Sequence, residues 1–159
     1  MISFFVPGQP KGQPRPRAFA RRFGATWSAR VYDPGTAEGW KSAIAVAAKD
    51  HIQNPQDGPL LVTLEFFLIR PKAHFLRSRL RENSPHHHTG KPDVDNLAKA
   101  VLDALTTIVA WSDDAIISEL HVRKRYADEI GNCGCRVCIG HAWVPQTAME
   151  SMQEPLPLD

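Results

Sequence analysis

Five aspartates lie in the segment from Lys91 to Asp114, which reads KPDVDNLAKAVLDALTTIVAWSDD. One pair precedes an apolar stretch, one residue stands inside it and an adjacent pair follows it: Asp93 and Asp95, then Asp103, then Asp113 and Asp114. Aspartate is unfavourable inside a helix and is costly to bury without a partner. Acidic pairs at both ends of an apolar helix therefore suggest that the two ends contribute to one site. Because hard divalent cations bind carboxylate oxygens, we expect that site to hold a metal ion.

The first acidic pair stands at the start of the predicted helix. In extended backbone the i, i+2 spacing points the carboxylates of Asp93 and Asp95 to the same side. The helix N-terminus favours nearby negative charge by less than about 1 kcal/mol at an exposed site, and a bound cation would do far more. Nothing in one chain forces Asp113 and Asp114 to return to this end. A bent loop and a partner subunit are both ways to complete the site.

Lys99 is the only cation between Asp93 and Glu119, a block that carries six acids. On a helix it lies one turn after Asp95 and one turn before Asp103. Metal-dependent phosphodiester hydrolysis needs carboxylates for the ion, an attacking water and cationic help for the leaving oxygen. Lys99 can supply that help or orient the water. Each part alone is also common as structure, as an N-cap, an ion pair or a turn.

Basic residues are concentrated outside this acidic block. The stretch up to Tyr32 holds six cations and no acid, and a second unbroken basic cluster runs from Arg70 to Arg81. Basic segments around an acidic pocket suit an anionic polymer whose phosphates approach a metal. The residues expected to contact DNA are Lys11, Arg15, Arg17, Arg21, Arg22, Arg70 and Lys72. The alternative is that both clusters are solvated loops.

The elements that position these residues follow from hydrophobic spacing and turn residues. Strands are predicted over 2–6, 60–69, 115–126 and 135–144, and helices over 36–51, with Thr36 as N-cap, and from 95 or 96 to 108. The proline-rich segment from Pro7 to Tyr32 is expected to resist regular structure, and 72–90 to form a long polar loop. The predicted fold class is α/β (α+β), a small single domain with a mixed β-sheet packed with two main helices. We expect the domain to cover 1–145 and a flexible tail to cover 146–159.

The composition is that of a globular protein. The chain has 159 residues, of which 43% are hydrophobic and 23% charged. No apolar run approaches the roughly 18 residues that span a bilayer, so no membrane partner is expected. The first residues lack the basic and apolar regions of a secretory signal, and a cytoplasmic location is expected.

Three cysteines and a histidine lie close together near the end of the chain: Cys133, Cys135, Cys138 and His141. An odd cysteine count argues against a disulfide framework. The pattern lacks the two paired C-x2-C motifs of a strong zinc site, and alternation in a strand would put Cys135 and Cys138 on opposite faces. We favour a strand of small apolar residues and leave zinc open. The triplet 86–88 of histidines is interpreted as a solvated loop, with contact to metal or phosphate as the alternative.

The segments KPDVDNLAKAVLDAL and WSDDAIISELHVRKRY resemble the signature of the RusA-type Holliday junction resolvases of bacteria and their prophages. The resemblance extends to VPGQPKGQPRPR, RVYDPGTAEGWKSAI and RPKAHF, and so covers most of residues 2–126. It implies a homodimeric α/β endonuclease that resolves four-way DNA junctions by symmetric paired nicks with Mg2+ or Mn2+. A dimer suits this chemistry because two cuts on a two-fold symmetric junction need two symmetric sites.

Carried over by motif position, the resemblance implies that Asp93, Asp95 and Asp114 are the metal ligands and Lys99 the catalytic lysine. Asp103 and Asp113 fit supporting roles. The Cys-rich last strand and the His-bearing loop depart from the family pattern. Two other functions are kept as alternatives: a non-catalytic DNA-binding module and a metal phosphohydrolase for small nucleotides.

Overall fold

A computed structural model describes residues 1–14, 17–24, 26–32, 35–77, 79–128 and 132–142. The strands are β1 (Ile2–Pro7), β2 (Arg17–Phe23), β3 (Thr26–Tyr32), β4 (Leu60–Leu68), β5 (Phe75–Leu76), β6 (Arg79–Leu80), β7 (Ile117–Tyr126) and β8 (Gly134–His141), and the helices are α1 (Glu38–Lys49) and α2 (Val94–Thr107). The predicted fold class, a mixed sheet with two main helices, is confirmed. No helix in the described ranges has the length and apolar character needed to cross a membrane.

The main sheet has four strands in the order β1-β8-β4-β7. Strand β7 pairs parallel with β4, and the other neighbours pair antiparallel. Side chains alternate along β4, so that Leu64 and Phe66 face the helices whereas Glu65 and Phe67 face the other side. Because β7 is last in the strand order, it forms one edge of the sheet, and it directly follows the segment that carries the second acidic pair.

Both helices bury an apolar stripe against the same face of the sheet. The buried residues of α1 are Trp40, Ile44 and Ala48, and those of α2 are Leu97, Ala98, Ala100, Val101, Ala104 and Leu105. These positions recur every three or four residues, as expected for one face of a helix. This packing fixes the direction of α2, and hence the places of the acidic residues at its two ends.

Helix α2 ends in a tight turn that directs the chain towards Asp113. The N–H of Val109 bonds to the carbonyl of Thr106, and that of Ala110 to the carbonyl of Leu105, both at 3.0 Å. This is a Schellman motif, in which glycine usually holds the left-handed position. Here Val109 holds it with φ of 58°, a strained conformation for a β-branched residue. A shallow 3-10 turn over Asp114–Ile116 then precedes β7, where the sequence had predicted strand from residue 115.

The expectation that the segment Pro7–Tyr32 resists regular structure is wrong for its second half. Strands β2 and β3 form an antiparallel hairpin in which Phe23 pairs with Thr26. Gly24 starts the turn with φ of 61°, a conformation that glycine adopts without a Cβ clash. The prolines are confined to the residues before Arg17, so they do not interrupt the hairpin. The predicted long loop 72–90 likewise contains a 3-10 turn and the small hairpin β5–β6.

The predicted N-cap Thr36 is also wrong. The chain turns at Gly35, whose carbonyl accepts from the N–H of Glu38 at 3.3 Å, and helix α1 begins only at Glu38. Ala37 is consequently the N-cap, without a side-chain hydrogen bond. The predicted tail over 146–159 lies outside the described residues.

Strand β8 accounts for the cysteine-rich segment, as the sequence favoured. Cys135 is buried under the helices, and burial raises the pKa of its thiol well above the ordinary value. Cys138 lies on the opposite face, with its Sγ 3.3 Å from the Oγ of Ser3. Among the described residues, no three His, Cys, Asp or Glu side chains are grouped closely enough to hold a metal ion.

Candidate active site at the start of helix α2

Asp93 is the N-cap residue of α2, but its carboxylate does not cap the helix. Its backbone is extended, its carbonyl accepts the first helical hydrogen bond from Leu97, and no hydrogen bond joins its side chain to the first turn. Asp95 lies in that first turn, where the helix dipole favours an acid, so the two carboxylates are not held by one extended segment as the spacing had suggested. Both residues are exposed. Asp93 thus presents to solvent an N-cap carboxylate that the helix itself does not use.

A cleft of about 410 Å³ lies between this helix start and the N-terminal loop. Gly12 packs so closely there that a Cβ on it would lie 3.1 Å from that of Asn96. The N–H of Gln13 bonds to the carbonyl of Asn96 at 2.8 Å, which fixes the loop on the helix. Lys11 and Lys91 line the cleft together with Asp93. The cleft therefore joins an acidic group to two cations, an arrangement that suits a phosphate approaching a metal ion.

Lys124 holds the backbone that leads into α2. Its Nζ extends from β7 and donates to the carbonyls of Gly90 and Pro92, both at 2.7 Å. The two residues that carry these carbonyls flank Lys91, and Pro92 directly precedes Asp93. Hydrogen bonds from a charged donor are stronger than those between neutral groups. Lys124 thereby fixes the position of the first acidic pair, a role that the sequence reasoning did not assign to it.

For the metal-dependent DNA cleavage that the family resemblance implies, we expect Lys124→Met to reduce cleavage more than DNA binding. The variant loses two charge-assisted hydrogen bonds, so its free energy of unfolding should fall by about 1–3 kcal/mol. The looser helix start should also raise the Mg2+ concentration needed for half-maximal cleavage. Lys124→Arg, which keeps a cationic donor, should recover part of the activity, and Lys49→Met on the last turn of α1 is the matched control. An unchanged Mg2+ dependence in Lys124→Met would remove the positioning role.

Lys99 and Asp103 form an ion pair along α2. The Nζ of Lys99 donates to Oδ1 of Asp103 at 3.1 Å, and the Lys99 side chain is 63% exposed. On the other side Lys41 of α1 lies 3.7 Å from Oδ2 of Asp103. Asp103 thus links the two helices and orients Lys99, one turn from Asp95. The supporting role of Asp103 in the site stays a prediction.

Asp113 and Asp114 lie beyond the opposite end of α2. Lys124, near the end of β7, reaches the start of α2, so β7 runs antiparallel to the helix. Asp114 lies before the first residue of β7, beside the end of α2. A helix of 14 residues spans about 21 Å, so Asp114 is roughly that far from Asp93 in the same chain. One chain therefore brings Asp93 and Asp95 to one end and Asp114 to the other.

The two residues of the second pair differ in their contacts. Oδ1 of Asp113 accepts from the N–H of Ala115 at 2.7 Å and so caps the 3-10 turn. Asp114 is the first residue of that turn and is exposed. Asp113 therefore has a structural task, whereas Asp114 presents its carboxylate to solvent. The supporting role of Asp113 in the site stays a prediction.

Among the predicted DNA contacts, Lys11, Arg22 and Lys72 are exposed. Lys11 lines the cleft, Lys72 begins the 3-10 turn after β4, and Nε of Arg22 donates to the carbonyl of Gly24 at 2.9 Å. Arg15 and the side chains of Arg17 and Arg21 lie outside the described part of the chain. The exposed cations are thus available to an anionic ligand.

The structure corrects the role predicted for Arg70. The residue is 6% exposed, and its guanidinium donates to the carbonyls of Ala127 and Pro85, both at 2.8 Å. These bonds tie the segment before α2 to the end of β7. A buried guanidinium with such partners is not placed to meet a phosphate, so Arg70 is assigned a structural role.

The histidine-bearing loop lies beside the same end of the sheet. The His88 ring is 4.8 Å from that of Tyr126, and burial, followed by the Lys124 ammonium, lowers the pKa of His88 below its usual value. His86 and His87 are exposed. His88 is therefore a neutral packing residue near pH 7, and the solvated-loop interpretation fits only His86 and His87.

A second polar cluster escaped the sequence reasoning. Glu65 lies in the otherwise apolar strand LLVTLEFFL. A single acid in such a strand could have indicated a buried ion pair. Its side chain is 5% exposed and lies within 3.3 Å of nitrogen atoms of Arg123, Arg125 and Arg136. The cluster lies on the sheet face opposite the helices, so it is separate from the cleft at Asp93.

Comparisons with known proteins identify the family of the chain. The sequence model of the family described as Endodeoxyribonuclease RusA matches residues 7–137. The chain is also similar to the uncharacterized protein YqaN of Bacillus subtilis (strain 168), with 31% identity over 134 residues. That alignment covers 80% of this chain and 89% of the Bacillus protein. Residues 7–137, which the family model matches, include the N-terminal loop, both helices and both acidic pairs.

Proposed function

Because the chain belongs to the RusA endodeoxyribonuclease family, we propose that it is a divalent-metal-dependent enzyme that resolves four-way DNA junctions by paired symmetric nicks. The observation that carries this proposal is the cleft at the start of α2. There an N-cap carboxylate that the helix does not use faces two lysines. Such a site suits a phosphodiester better than a neutral ligand.

The donor set fits a hard cation such as Mg2+ or Mn2+. Asp93 and Asp95 supply carboxylate oxygens, which these ions prefer, and Asp114 is proposed as the third ligand. When bound, the ion would polarise the phosphate and favour ionisation of the attacking water. Lys99, which pairs with Asp103 at 3.1 Å, is proposed to stabilise the leaving oxygen or to orient that water. Lys11 and Lys91 would bind the flanking phosphates.

A homodimer completes this site in our proposal. Asp114 lies about one helix length from Asp93 in one chain, so the third carboxylate would come from a partner subunit. Strand β7 is an edge strand, and of the described residues only the segment 86–87 pairs with its outer side. Leu120 on this edge is 42% exposed. Edge strands are ready sites for pairing with another chain. Antiparallel pairing of two β7 strands about a two-fold axis would set the start of one beside the end of the other.

The alternatives make different demands on the cleft. A small-nucleotide phosphohydrolase needs a pocket for the base, whereas the residues that line this cleft include no aromatic ring. A non-catalytic module would bind junctions but would not use the exposed carboxylates of Asp93 and Asp114. We propose cytoplasmic DNA recombination and repair as the setting of the activity.

Incubation with a labelled four-way junction tests the function directly. We expect symmetric nicks in the presence of Mg2+ or Mn2+, none with EDTA, and little cleavage of linear duplex of the same sequence. Junction binding with no metal-dependent nicking would favour the DNA-binding module. Hydrolysis of a free nucleotide or a nitrophenyl nucleotide ester, with the junction left intact, would favour the phosphohydrolase.

A further inference from the structure

The sheet face opposite the helices carries an organised group of arginines. Nε of Arg123 and Nε of Arg125 lie 3.0 and 3.1 Å from Oε1 of Glu65, and Nη1 of Arg136 lies 3.3 Å from Oε2. The contact of Arg125 is one of charge, since its Nε–H is not directed at an acceptor. A buried carboxylate is tolerated only with such partners. Glu65 thus holds three cationic groups in fixed places on a rigid sheet.

The positive charge of this group exceeds the charge of its acids. Glu65 is shared by all three arginines, and Asp128 adds only a long contact of 3.9 Å to Arg125. The side chains of Arg123 and Arg136 are 73% and 54% exposed. Both keep guanidinium N–H groups for an outside acceptor, because Arg has five such donors in a planar fork. The array therefore suits phosphate oxygens, which match that fork.

Two phenylalanine rings lie beside the arginines. The guanidinium carbons of Arg125 and Arg136 lie 4.7 and 5.7 Å from the centre of the Phe67 ring. Phe5 contacts the same ring edge-on at 6.0 Å and is 41% exposed. A cleft of about 440 Å³ opens between these residues. Arginines beside an exposed ring are a common arrangement at nucleic-acid surfaces.

The position of the array relates it to the candidate active site. Arg125 follows Lys124, which holds the start of α2, and consecutive strand residues point to opposite faces. Both features consequently lie at the same end of the sheet. When the branch point of a DNA junction is bound at Asp93, the DNA arms extend away from it. One of these arms can then lie along the sheet face that carries the arginines.

A second copy of the chain fits this face poorly. An isologous interface would bring the arginines of both copies together, with only Glu65 and Asp128 of each copy to offset them. Like charges facing each other in an interface are strongly unfavourable. Charge complementarity selects a polyanion as the occupant.

We infer that Arg123, Arg125 and Arg136 form a second DNA-binding surface that holds a junction arm by its phosphates, outside the cleavage site. The inference rests on the proposed function for the identity of the DNA. The surface contributes binding and no chemistry. Its loss should therefore weaken junction affinity and leave the cleavage rate of bound DNA unchanged.

The test compares Arg123→Gln/Arg136→Gln with the wild type and with Lys49→Gln, a cation at the far end of α1. Arg125 stays in place as a partner for Glu65. We expect Kd for a labelled four-way junction to rise about tenfold near 0.15 M salt. The plot of the logarithm of the association constant against the logarithm of the salt concentration should become shallower by about 1.8, since two phosphate contacts are lost. Lys49→Gln should change neither quantity. Single-turnover cleavage at saturating protein should match the wild type.

Glu65→Gln separates charge from folding, because it disturbs the same cluster but removes no cation. A DNA-binding face predicts that its salt slope does not fall. Equal loss of binding in Glu65→Gln and in the double variant, with lowered melting temperatures, would overturn the inference in favour of a structural cluster. Unchanged binding in the double variant, or a changed sedimentation coefficient that indicates an interface between copies, would overturn it as well. A wild type that binds junctions but does not cut them contradicts the proposed function and leaves this binding test intact.

Discussion

Asp95→Asn should abolish junction cleavage, with a loss of at least about 10³-fold, while junction binding remains within a few-fold of wild type. The substitution keeps the size of the side chain but removes the charge that a divalent cation requires. The loss of several kcal/mol of transition-state stabilisation corresponds to a rate reduction of this order. The measurement is single-turnover cleavage of a labelled four-way junction, with the dissociation constant determined in Ca2+ or EDTA.

The matched control is Asp50→Asn. Asp50 is exposed at the end of α1, where a negative charge has no favourable helix dipole, so the variant should cleave at the wild-type rate. Asp93→Asn should behave as Asp95→Asn does, because both residues stand at the start of α2. Full cleavage by Asp95→Asn with Mg2+ present would exclude this carboxylate from the site and, with it, the proposed metal chemistry.

The sequence predicted those parts of the fold that depend on local periodicity. The apolar stripe of α2 and the branched residues of β4 specify their elements almost without tertiary context, and both agree with prediction to within about two residues. The hairpin β2–β3 was not predicted, because the four prolines of the segment 7–32 suggested irregular structure throughout, whereas all of them precede the hairpin. The N-cap of α1 was missed because a turn at Gly35, rather than a side-chain cap, sets where the helix begins.

The roles of charged residues depend on contacts between distant parts of the chain, which spacing does not reveal. Arg70 belongs to a basic cluster by sequence, yet its partners are carbonyls of Pro85 and Ala127. Lys124 belongs to a basic run on β7, yet it holds the backbone before Asp93. In both cases the decisive partner is a main-chain oxygen, and every residue of the chain carries one. Only the folded arrangement selects which one is used.

Mixing two inactive variants should restore cleavage if each site is built from two subunits. In a heterodimer of Asp95→Asn with Asp114→Asn, one composite site carries both substitutions and the other carries neither. Random subunit exchange would leave about a quarter of all sites intact. A cruciform plasmid is a suitable substrate, because one active site per dimer should convert it to nicked circles, whereas the wild type should linearise it by paired nicks.

The control mixture pairs Asp93→Asn with Asp95→Asn. Both residues lie at the start of α2, so every composite site in that heterodimer contains one substitution, and no activity should return. Sites completed within a single chain make the opposite prediction for the first mixture, since both subunits would then carry a damaged site.

Failure of Asp95→Asn and Asp114→Asn to complement, with exchange verified by mass spectrometry, would therefore exclude the shared site. In that case the loop between α2 and β7 would have to bring Asp114 across about one helix length within its own subunit. Packing of Trp111 in the core, where its Nε1 donates to Oγ1 of Thr106 at 2.8 Å, opposes such a movement.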